Sequence, residues 1–308
     1  MWRYVFRRLL LLIPIFLVVS IIIFSLIHIV PGNPIDNLVG PGMSLEYQKK
    51  LAQQYHLDKP LHIQYAIWFK NMLQGDLGRS IVEKRPVMEL LLYHLPHSLQ
   101  LGLTALALSF FLGVSLGVIS AAAKNSLTDH VSMVIALFGV TIPSFWLGLI
   151  LILIFSVWLG WFPVSGSGSL WTLVLPAVTL GLGGAGLVAR VTRVSMLEMA
   201  SKDFVILLHA KGLSRKAILI KHILRNALIP VITILGLRLG WVLGGAVTVE
   251  IVFGRPGLGQ LLISGLFRRD YPVVQGAMLL LAMGIMFGAV FADILYAYAD
   301  PRVRDQRR

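Results

Sequence analysis

The chain has 308 residues, of which 57% are hydrophobic and 13% are charged. A soluble domain would carry about twice that fraction of charged residues, so the composition excludes an ordinary water-soluble protein. The net charge of +13 does not indicate nucleic-acid binding, because the basic residues cluster at the ends of apolar segments, and the lack of cysteine excludes disulfides and cysteine metal sites.

Six apolar segments are long enough to cross a membrane as helices, which requires about 20 residues each. The alternation of about ten-residue strands that is typical of a membrane β-barrel is not found. The predicted spans are Leu9–Val30, Leu99–Ala123, Val131–Trp158, Leu173–Ala189, Ala227–Val249 and Val273–Tyr296. The first is too long for the apolar region of a signal peptide, so we expect residues 1–30 to remain as an N-terminal transmembrane helix.

The distribution of lysine and arginine predicts that both termini are cytoplasmic. With the N-terminus inside, the inner segments hold sixteen basic residues, whereas the short outer loops hold Arg255, Arg268 and Arg269. Basic residues favour the cytoplasmic side. Residues 31–98 are then extracytoplasmic, residues 99–299 form a five-helix core with a cytoplasmic loop at 190–226, and residues 300–308 form a cytoplasmic tail.

The external segment 31–98 carries its own helix signals. Pro31 and Pro34 end the first helix, and Ser44 is a candidate N-cap for a helix that follows. Residues 62–73 have the amphipathic pattern of a helix at the membrane interface.

Glycines four residues apart recur in the predicted spans and let helices approach closely. They are Gly113 and Gly117, then Gly236, Gly240 and Gly244, and finally Gly284 and Gly288. Packing within one subunit is the favoured interpretation, and contact with a second membrane subunit is the alternative.

Residues 203–230 form a basic, half-apolar stretch between two spans. Gly212 permits a positive φ that ends one helix, and Ser214 is a candidate N-cap for the next. The pattern predicts a short helix pair parallel to the membrane, and the basic residues Lys211, Arg215 and Arg225 would face lipid phosphates or an acidic partner protein.

Ten short motifs along the whole chain carry a resemblance to a known family. They are RYVFRRLL at 3–10, PGNP at 31–34, LDKPL at 57–61, GDLGRS at 75–80, ARVTR at 189–193, AKGLS at 210–214, HILRNA at 222–227, PGLG at 256–259, RDYPV at 269–273 and DPR at 300–302. In order and spacing they resemble the first permease subunit of the dipeptide, oligopeptide and nickel ABC importers.

The resemblance implies a type I ABC importer permease fold in a bacterial inner membrane. It also implies a second homologous permease, two ATP-binding subunits and an extracytoplasmic solute-binding protein as partners. The residues that it assigns to coupling with the ATPase are Asp203, Ala210, Lys211, Gly212, Leu213, Ser214, Arg215, Arg225 and Asn226. Two departures stand out: Ile206, Leu207 and Leu208 replace a Glu-Ala-Ala-like triplet, and Arg255 stands where the family often has Trp.

The chain shows no signature of an enzyme. A phosphate-binding loop requires a Gly-Lys dipeptide, which is absent, and no catalytic pair of an intramembrane hydrolase is apparent. A secondary transporter would show an inverted repeat or midplane carboxylates, and neither is found. We therefore expect a transport subunit that needs no cofactor.

Two basic residues are candidates for the solute path, Arg238 within the fifth span and Arg255 in an outer loop. For Arg238 the alternative is a contact with a residue of the second permease. Ionisable groups inside spans are costly and indicate function. Asp293 lies too far from Arg238 to pair with it and is expected to pair with basic residues near the inner surface. The favoured cargo is a short peptide, and the alternative is a nickel chelate, with His28, His94 and His97 as weak candidates for metal contact.

Overall fold

The computed structural model describes residues 2–29, 58–244 and 246–299, which are helical apart from short turns. Within them, five helices are long and apolar enough to cross a membrane, and a bent pair makes a sixth span. The predicted all-helical, six-span class is therefore confirmed. The predictions for Pro31, Pro34, Ser44 and the tail 300–308 fall outside the described residues.

The helices are numbered here in chain order. The long helices are α1 (Trp2–Ile29), α3 (Val87–Ala122), α6 (Trp171–Ala200), α8 (Arg215–Leu239) and α12 (Tyr271–Ala299). The shorter helices are α2 (Leu61–Leu73), α4 (Leu127–Thr141), α5 (Ser144–Leu151), α7 (Asp203–Ala210), α9 (Trp241–Gly244), α10 (Val247–Val252) and α11 (Leu258–Phe267). Two π-helical segments occur, Ile152–Trp158 after α5 and Ile218–Leu224 inside α8.

Helix α2 packs against α1 rather than standing apart from the membrane helices. The hydroxyls of Ser20 and Tyr65 are 2.8 Å apart, and Met72 is buried in a cluster with Ile23 and Leu279 of α12. Since Ser20 and Ile23 belong to the predicted first span, part of the external segment reaches the depth of that span. Helix α3 also begins twelve residues before the predicted second span, inside the segment 31–98.

The glycine spacing proves to be packing within one chain. Gly113 and Gly117 of α3 lie against Val188 and Thr192 of α6, where an added Cβ would collide with both neighbours. Gly288 of α12 meets the backbone of α8 in the same way. The favoured interpretation of close packing within one subunit is therefore confirmed for these positions.

The predicted third span, Val131–Trp158, is wrong as a single helix. Helices α4 and α5 meet at an angle of 106°. Ile142 has extended backbone angles and Pro143 follows it, which is the conformation that a proline imposes on the residue before it. The bend places α5 beside α10, and the hydroxyls of Ser144 and Thr248 lie 3.3 Å apart.

Two further predicted spans differ from the structure at their inner ends. Helix α6 continues eleven residues beyond Ala189, and α8 begins at Arg215 rather than at Ala227. No helix-breaking residue separates these basic stretches from the spans, and Ile218 and Ile223 are buried against Met196. The second half of the predicted helix pair is therefore continuous with the fifth span instead of forming a separate helix.

The fifth span also ends earlier than predicted. Helix α8 stops at Leu239, and two short helices, α9 and α10, replace the predicted continuation to Val249. Gly240 and Gly244 lie at this break, against Ile285 of α12. Glycine destabilises the interior of a helix, and its lack of a side chain allows a neighbouring helix to come close. The two glycines therefore account both for the end of α8 and for the close contact with α12.

Candidate functional site

The turn between α7 and α8 has a defined geometry. Gly212 has φ +76°, its N–H donates to the His209 carbonyl at 2.9 Å, and the N–H of Leu213 donates to the Leu208 carbonyl at 3.3 Å. This pair of bonds is the Schellman motif that ends helices at a left-handed glycine. The Ser214 hydroxyl accepts from the N–H of Ala217 at 3.3 Å, as an N-cap does. The local roles predicted for Gly212 and Ser214 are confirmed.

Helix α7 buries one face and exposes an apolar one. Val205 is buried against α6 and α8, while Ile206 and Leu207 are 70% and 57% exposed. Lys202 and Lys211 flank this face and are exposed. Large exposed apolar side chains with a charged rim are typical of a protein-binding surface. We call this surface, Ile206 and Leu207 with their basic rim, the α7 face.

The remaining residues assigned to coupling lie on α7 and on the first turns of α8. Asp203 occupies the first turn of α7, where a carboxylate favours the helix N-terminus. Ala210 ends α7, and Arg215 opens α8. Arg225 and Asn226 are exposed three turns into α8, and the Asn226 amide donates to the His222 carbonyl at 2.8 Å.

An ion pair joins the C-terminal parts of α3 and α6 to the first turn of α4, and it was not predicted from the sequence. The Arg193 guanidinium of α6 donates from Nε and Nη2 to the two carboxylate oxygens of Asp129 in α4, at 2.8 and 2.7 Å. Asp129 also accepts from the Ser120 hydroxyl of α3 and from the N–H of Asn125. The Asp129 side chain is only 4% exposed. Each of its two oxygens accepts two hydrogen bonds, so all the lone pairs of this buried carboxylate are used.

This Asp129–Arg193 pair lies close to the coupling turn in the chain. Arg193 is seven residues before the end of α6, and α7 starts three residues after that end. About two turns of α6 therefore separate the ion pair from the segment that leads to α7. The only sequence signal was the motif ARVTR at 189–193, which does not point to its partner 64 residues away.

Arg238 lies beside a cavity, as a candidate path residue should. The cavity has a volume of about 290 Å³ and is lined by α3, α6, α8 and α9, including Ser109, Leu180 and Val242. No hydrogen bond or ion pair joins the guanidinium to any residue in the described ranges. A Cβ added at Gly184 would lie 3.0 Å from Arg238 Nη1, so the guanidinium rests over that glycine.

Arg255, the second candidate path residue, is buried instead of facing an open path. It is 1% exposed, and its Nη2 donates to the Gln100 side-chain carbonyl at 2.7 Å. Its Nη1 has no hydrogen-bond partner among the described residues. Burial lowers the pKa of Arg255, and the nearby Glu250 carboxylate raises it. Packing between α3 and α10 encloses Arg255 in this structure, and its place on the solute path stays a prediction.

Glu250 of α10 is fully buried and hydrogen-bonds to both α3 and α11. Its carboxylate accepts from the Ser98 hydroxyl at 2.6 Å and from the N–H groups of Gly259 and Gln260 at 2.8 and 3.3 Å. The Ser98 hydroxyl in turn accepts from the N–H of Leu258 at 2.7 Å. Together Ser98 and Glu250 satisfy the free N–H groups at the start of α11, which a buried helix end requires.

A second carboxylate joins the external segment to the last span. Asp270 accepts from the Ser80 hydroxyl and from the N–H groups of Ile81 and Val82 at 3.0 and 3.2 Å. The motifs GDLGRS and RDYPV of the sequence analysis therefore meet across 190 residues. Asp270 is 3% exposed, so this contact is part of the folded core rather than a surface feature.

Asp293 has a basic partner, as predicted, and His94 and His97 contact neighbouring residues of α3. Asp293 pairs with Arg8 at 3.1 Å, which confirms a basic partner near the inner end instead of Arg238. His94 Nδ1 lies 2.7 Å from the Leu90 carbonyl, and the His94 and His97 rings contact Tyr93. The side chain of His28 lies outside the described residues. Within those residues, no group of three or more His, Asp or Glu side chains is placed to hold a metal.

Comparison with known proteins gives consistent matches over the whole chain. Residues 113–305 match the family described as binding-protein-dependent transport system inner membrane component, and residues 1–102 match the N-terminal part of such membrane components. The glutathione transport system permease proteins GsiC of Escherichia coli K12 and of Salmonella typhi are each 40% identical over 304 residues, which is 99% of both chains.

Solved structures give the same fold at lower identity. The inward-facing MetNI methionine ABC transporter matches with a TM-score of 0.58 and 20% identity, over 69% of this chain and 97% of that one. An amino acid ABC transporter with histidines matches with a TM-score of 0.52 and 14% identity, over 68% and 93% of the two chains. At these identities the likeness shows the fold of an importer permease.

Proposed function

The chain belongs to the family of binding-protein-dependent transport system inner membrane components, and we propose that it helps to form the path for short peptides. It is a multi-pass permease subunit of a bacterial ABC importer, not an enzyme, and it works with ATP-binding subunits and a second permease. The alternatives of an intramembrane hydrolase and a secondary transporter are thereby excluded. An extracytoplasmic binding protein that delivers the peptide is part of the proposal.

The cargo follows from relatives and from the chemistry of the cavity. Relatives at 40% identity are glutathione permeases, and glutathione is a tripeptide. Arg238 offers a cation to a passing carboxylate, whereas a bare divalent cation would be repelled by about 5–6 kcal/mol at about 6 Å and an effective dielectric near 20. A nickel chelate brings its own ligands and, when anionic, would also suit Arg238, so it is the glutathione permease relatives that favour a peptide.

The α7 face is proposed as the docking site for an ATP-binding subunit. The single observation that carries this is the exposure of Ile206 and Leu207 on a helix whose end is fixed by Gly212. An apolar socket with acidic residues around it would fit the face and its basic rim. Ile206 and Leu207 replace the more polar triplet of the family, so the partner's socket is expected to be more apolar than usual.

The proposed orientation puts both termini and the α7 face in the cytoplasm. The Arg8–Asp293 pair supports it, because it joins the first turns of α1 to the last turns of α12. The start of α1 and the end of α12 must then lie on the same side of the membrane. The basic residues of α7 and α8 also favour the inner surface, where lipid phosphates would bind them.

Substitution of Leu207 tests the docking proposal. Leu207→Asp should reduce co-purification of the ATP-binding subunit by about tenfold or more, because a buried unpaired carboxylate costs several kcal/mol at an interface. Peptide-stimulated ATP hydrolysis by the reconstituted complex should fall to the same extent, and the measurement is subunit ratio by quantitative gel together with phosphate release.

A matched control is Leu170→Asp, because Leu170 is 76% exposed in a loop predicted to lie on the outer side. Its subunit ratio should equal that of the wild type. Equal subunit ratios for Leu207→Asp and the wild type would refute docking on the α7 face. Failure of the wild-type complex to take up any peptide would refute the proposed cargo alone.

A further inference from the structure

We propose that Arg238 and its cavity are a binding subsite for the carboxylate of a peptide in transit. The inference rests on the proposed peptide cargo and adds a role for the permease in choosing it. Arg238, Ser109, Gly184 and Val242 define this subsite, which we call the Arg238 subsite. Its ligand class is a carboxylate-bearing short peptide.

The position of Arg238 along α8 places the guanidinium deep in the membrane. Thirteen residues separate it from Arg225, which is about 20 Å along a helix. A charge at that depth is costly unless it is paired or faces water. Since the described residues give it no carboxylate partner and it borders a cavity, an anion that passes through is the natural counter-ion.

The surroundings of Arg238 keep the guanidinium available. Ser109 donates its hydroxyl hydrogen to the Gly181 carbonyl at 2.7 Å. No hydrogen bond joins its oxygen to the Arg238 guanidinium, and a neutral hydroxyl could not neutralise the cation in any case. Gly184 leaves room for the guanidinium, because a Cβ at that position would lie 3.0 Å from Nη1 and would also collide with Ser109. The small residues thus hold open the space that the charge occupies.

A second cavity in the described residues has an apolar lining and serves as a comparison. It has a volume of about 450 Å³ and is lined by apolar residues of α3, α8, α9 and α12, including Phe287 and Phe291. No group in its lining can bind a charge. The Arg238 subsite combines space with a cation, and a guanidinium can bind both oxygens of a carboxylate at once.

Uptake of an acid and of its amide by one complex tests the subsite. Wild type, Arg238→Gln and Arg238→Lys are assembled with their partner subunits and binding protein in proteoliposomes. The probes are trialanine and trialanine amide, with glutathione and its monoethyl ester as a second pair. Because all variants share one binding protein, the ratio of acid uptake to amide or ester uptake isolates the contribution of the permease.

In the Arg238→Gln complex this ratio should fall about tenfold or more, because one charge-assisted hydrogen-bonded contact is lost. Arg238→Lys should retain an intermediate ratio, since the charge remains and the planar fork is lost. The matched control is Arg7→Gln, which removes the same charge from an exposed position in α1 and should keep the wild-type ratio. An unchanged ratio in Arg238→Gln would overturn the subsite while the peptide cargo stood.

A second measurement does not depend on transport. Phenylglyoxal modification of Arg238 is followed by mass spectrometry in the assembled complex without binding protein. Excess trialanine should slow the modification several-fold, and trialanine amide should not. Equal rates with both probes would overturn the proposal, even if the wild-type complex transported neither peptide.

Discussion

Arg193 and Arg238 are both arginines within long apolar helices, and they are used in opposite ways. Arg193 makes two hydrogen bonds to Asp129, which is nearly buried and also bound by Ser120 and Asn125. Arg238 borders a cavity and meets no acidic group in the described part of the chain. Arg193 is fully paired and stabilises the packing of the helices. Arg238 has no acidic partner among the described residues, so its guanidinium is available to bind a ligand.

Removal of Arg193 should have the largest effect on stability. Arg193→Met leaves Asp129 buried with an uncompensated charge, and breaking a buried pair on one side costs about 3–5 kcal/mol. The loss should appear as a large drop in the unfolding temperature of the detergent-solubilised permease. The control is Arg190→Met, in the same helix but exposed; equal drops for the two variants would show that the pair contributes little.

Removal of Arg255 should have an intermediate effect. Arg255→Met loses the hydrogen bond to Gln100, but Glu250 keeps its own donors Ser98, Gly259 and Gln260. The expected cost is about 1–3 kcal/mol, the range for a hydrogen bond to a charged group. The same thermal measurement applies, with exposed Arg79→Met as control. A cost equal to that of Arg193→Met would place Arg255 among the fully paired cations.

Removal of Arg238 should have the smallest effect on stability. Arg238→Met takes away a cation that has no acidic partner in the described residues, so the change should lie within about 1 kcal/mol of wild type or be stabilising. The unfolding temperature is again the measurement, and it should contrast with the loss of acid selectivity in uptake. A drop as large as that of Arg193→Met would mean that the guanidinium has a structural role.

The sequence predicted those features that depend on local chemistry. Gly212 and Ser214 are identifiable because a left-handed glycine and a hydroxyl N-cap act on neighbouring residues. The six spans are visible because hydropathy is a property of continuous segments. The family could also be predicted, because ten motifs in a fixed order are recognisable without any knowledge of contacts.

The features that the sequence did not predict depend on distant partners. Asp129 was not singled out and Arg193 appeared only within the motif ARVTR, because nothing in their spacing joins α4 to α6. Hydropathy does not distinguish a straight span from one bent by 106°, so Val131–Trp158 was predicted as one helix. Arg255 lies in a polar turn by sequence, and only the packing of α3 against α10 and α11 shows that it is enclosed.

The contacts of α12 have a consequence for biosynthesis. Asp270, just before the start of α12, accepts a hydrogen bond from Ser80, and Asp293, near the end of α12, pairs with Arg8. Both partners are made long before α12, since the N-terminal part of a chain leaves the ribosome first. The turn at Ser80 and the first span therefore gain these two contacts only after the last span is made. A chain that stops before α12 lacks both contacts at once, one from each end of the span.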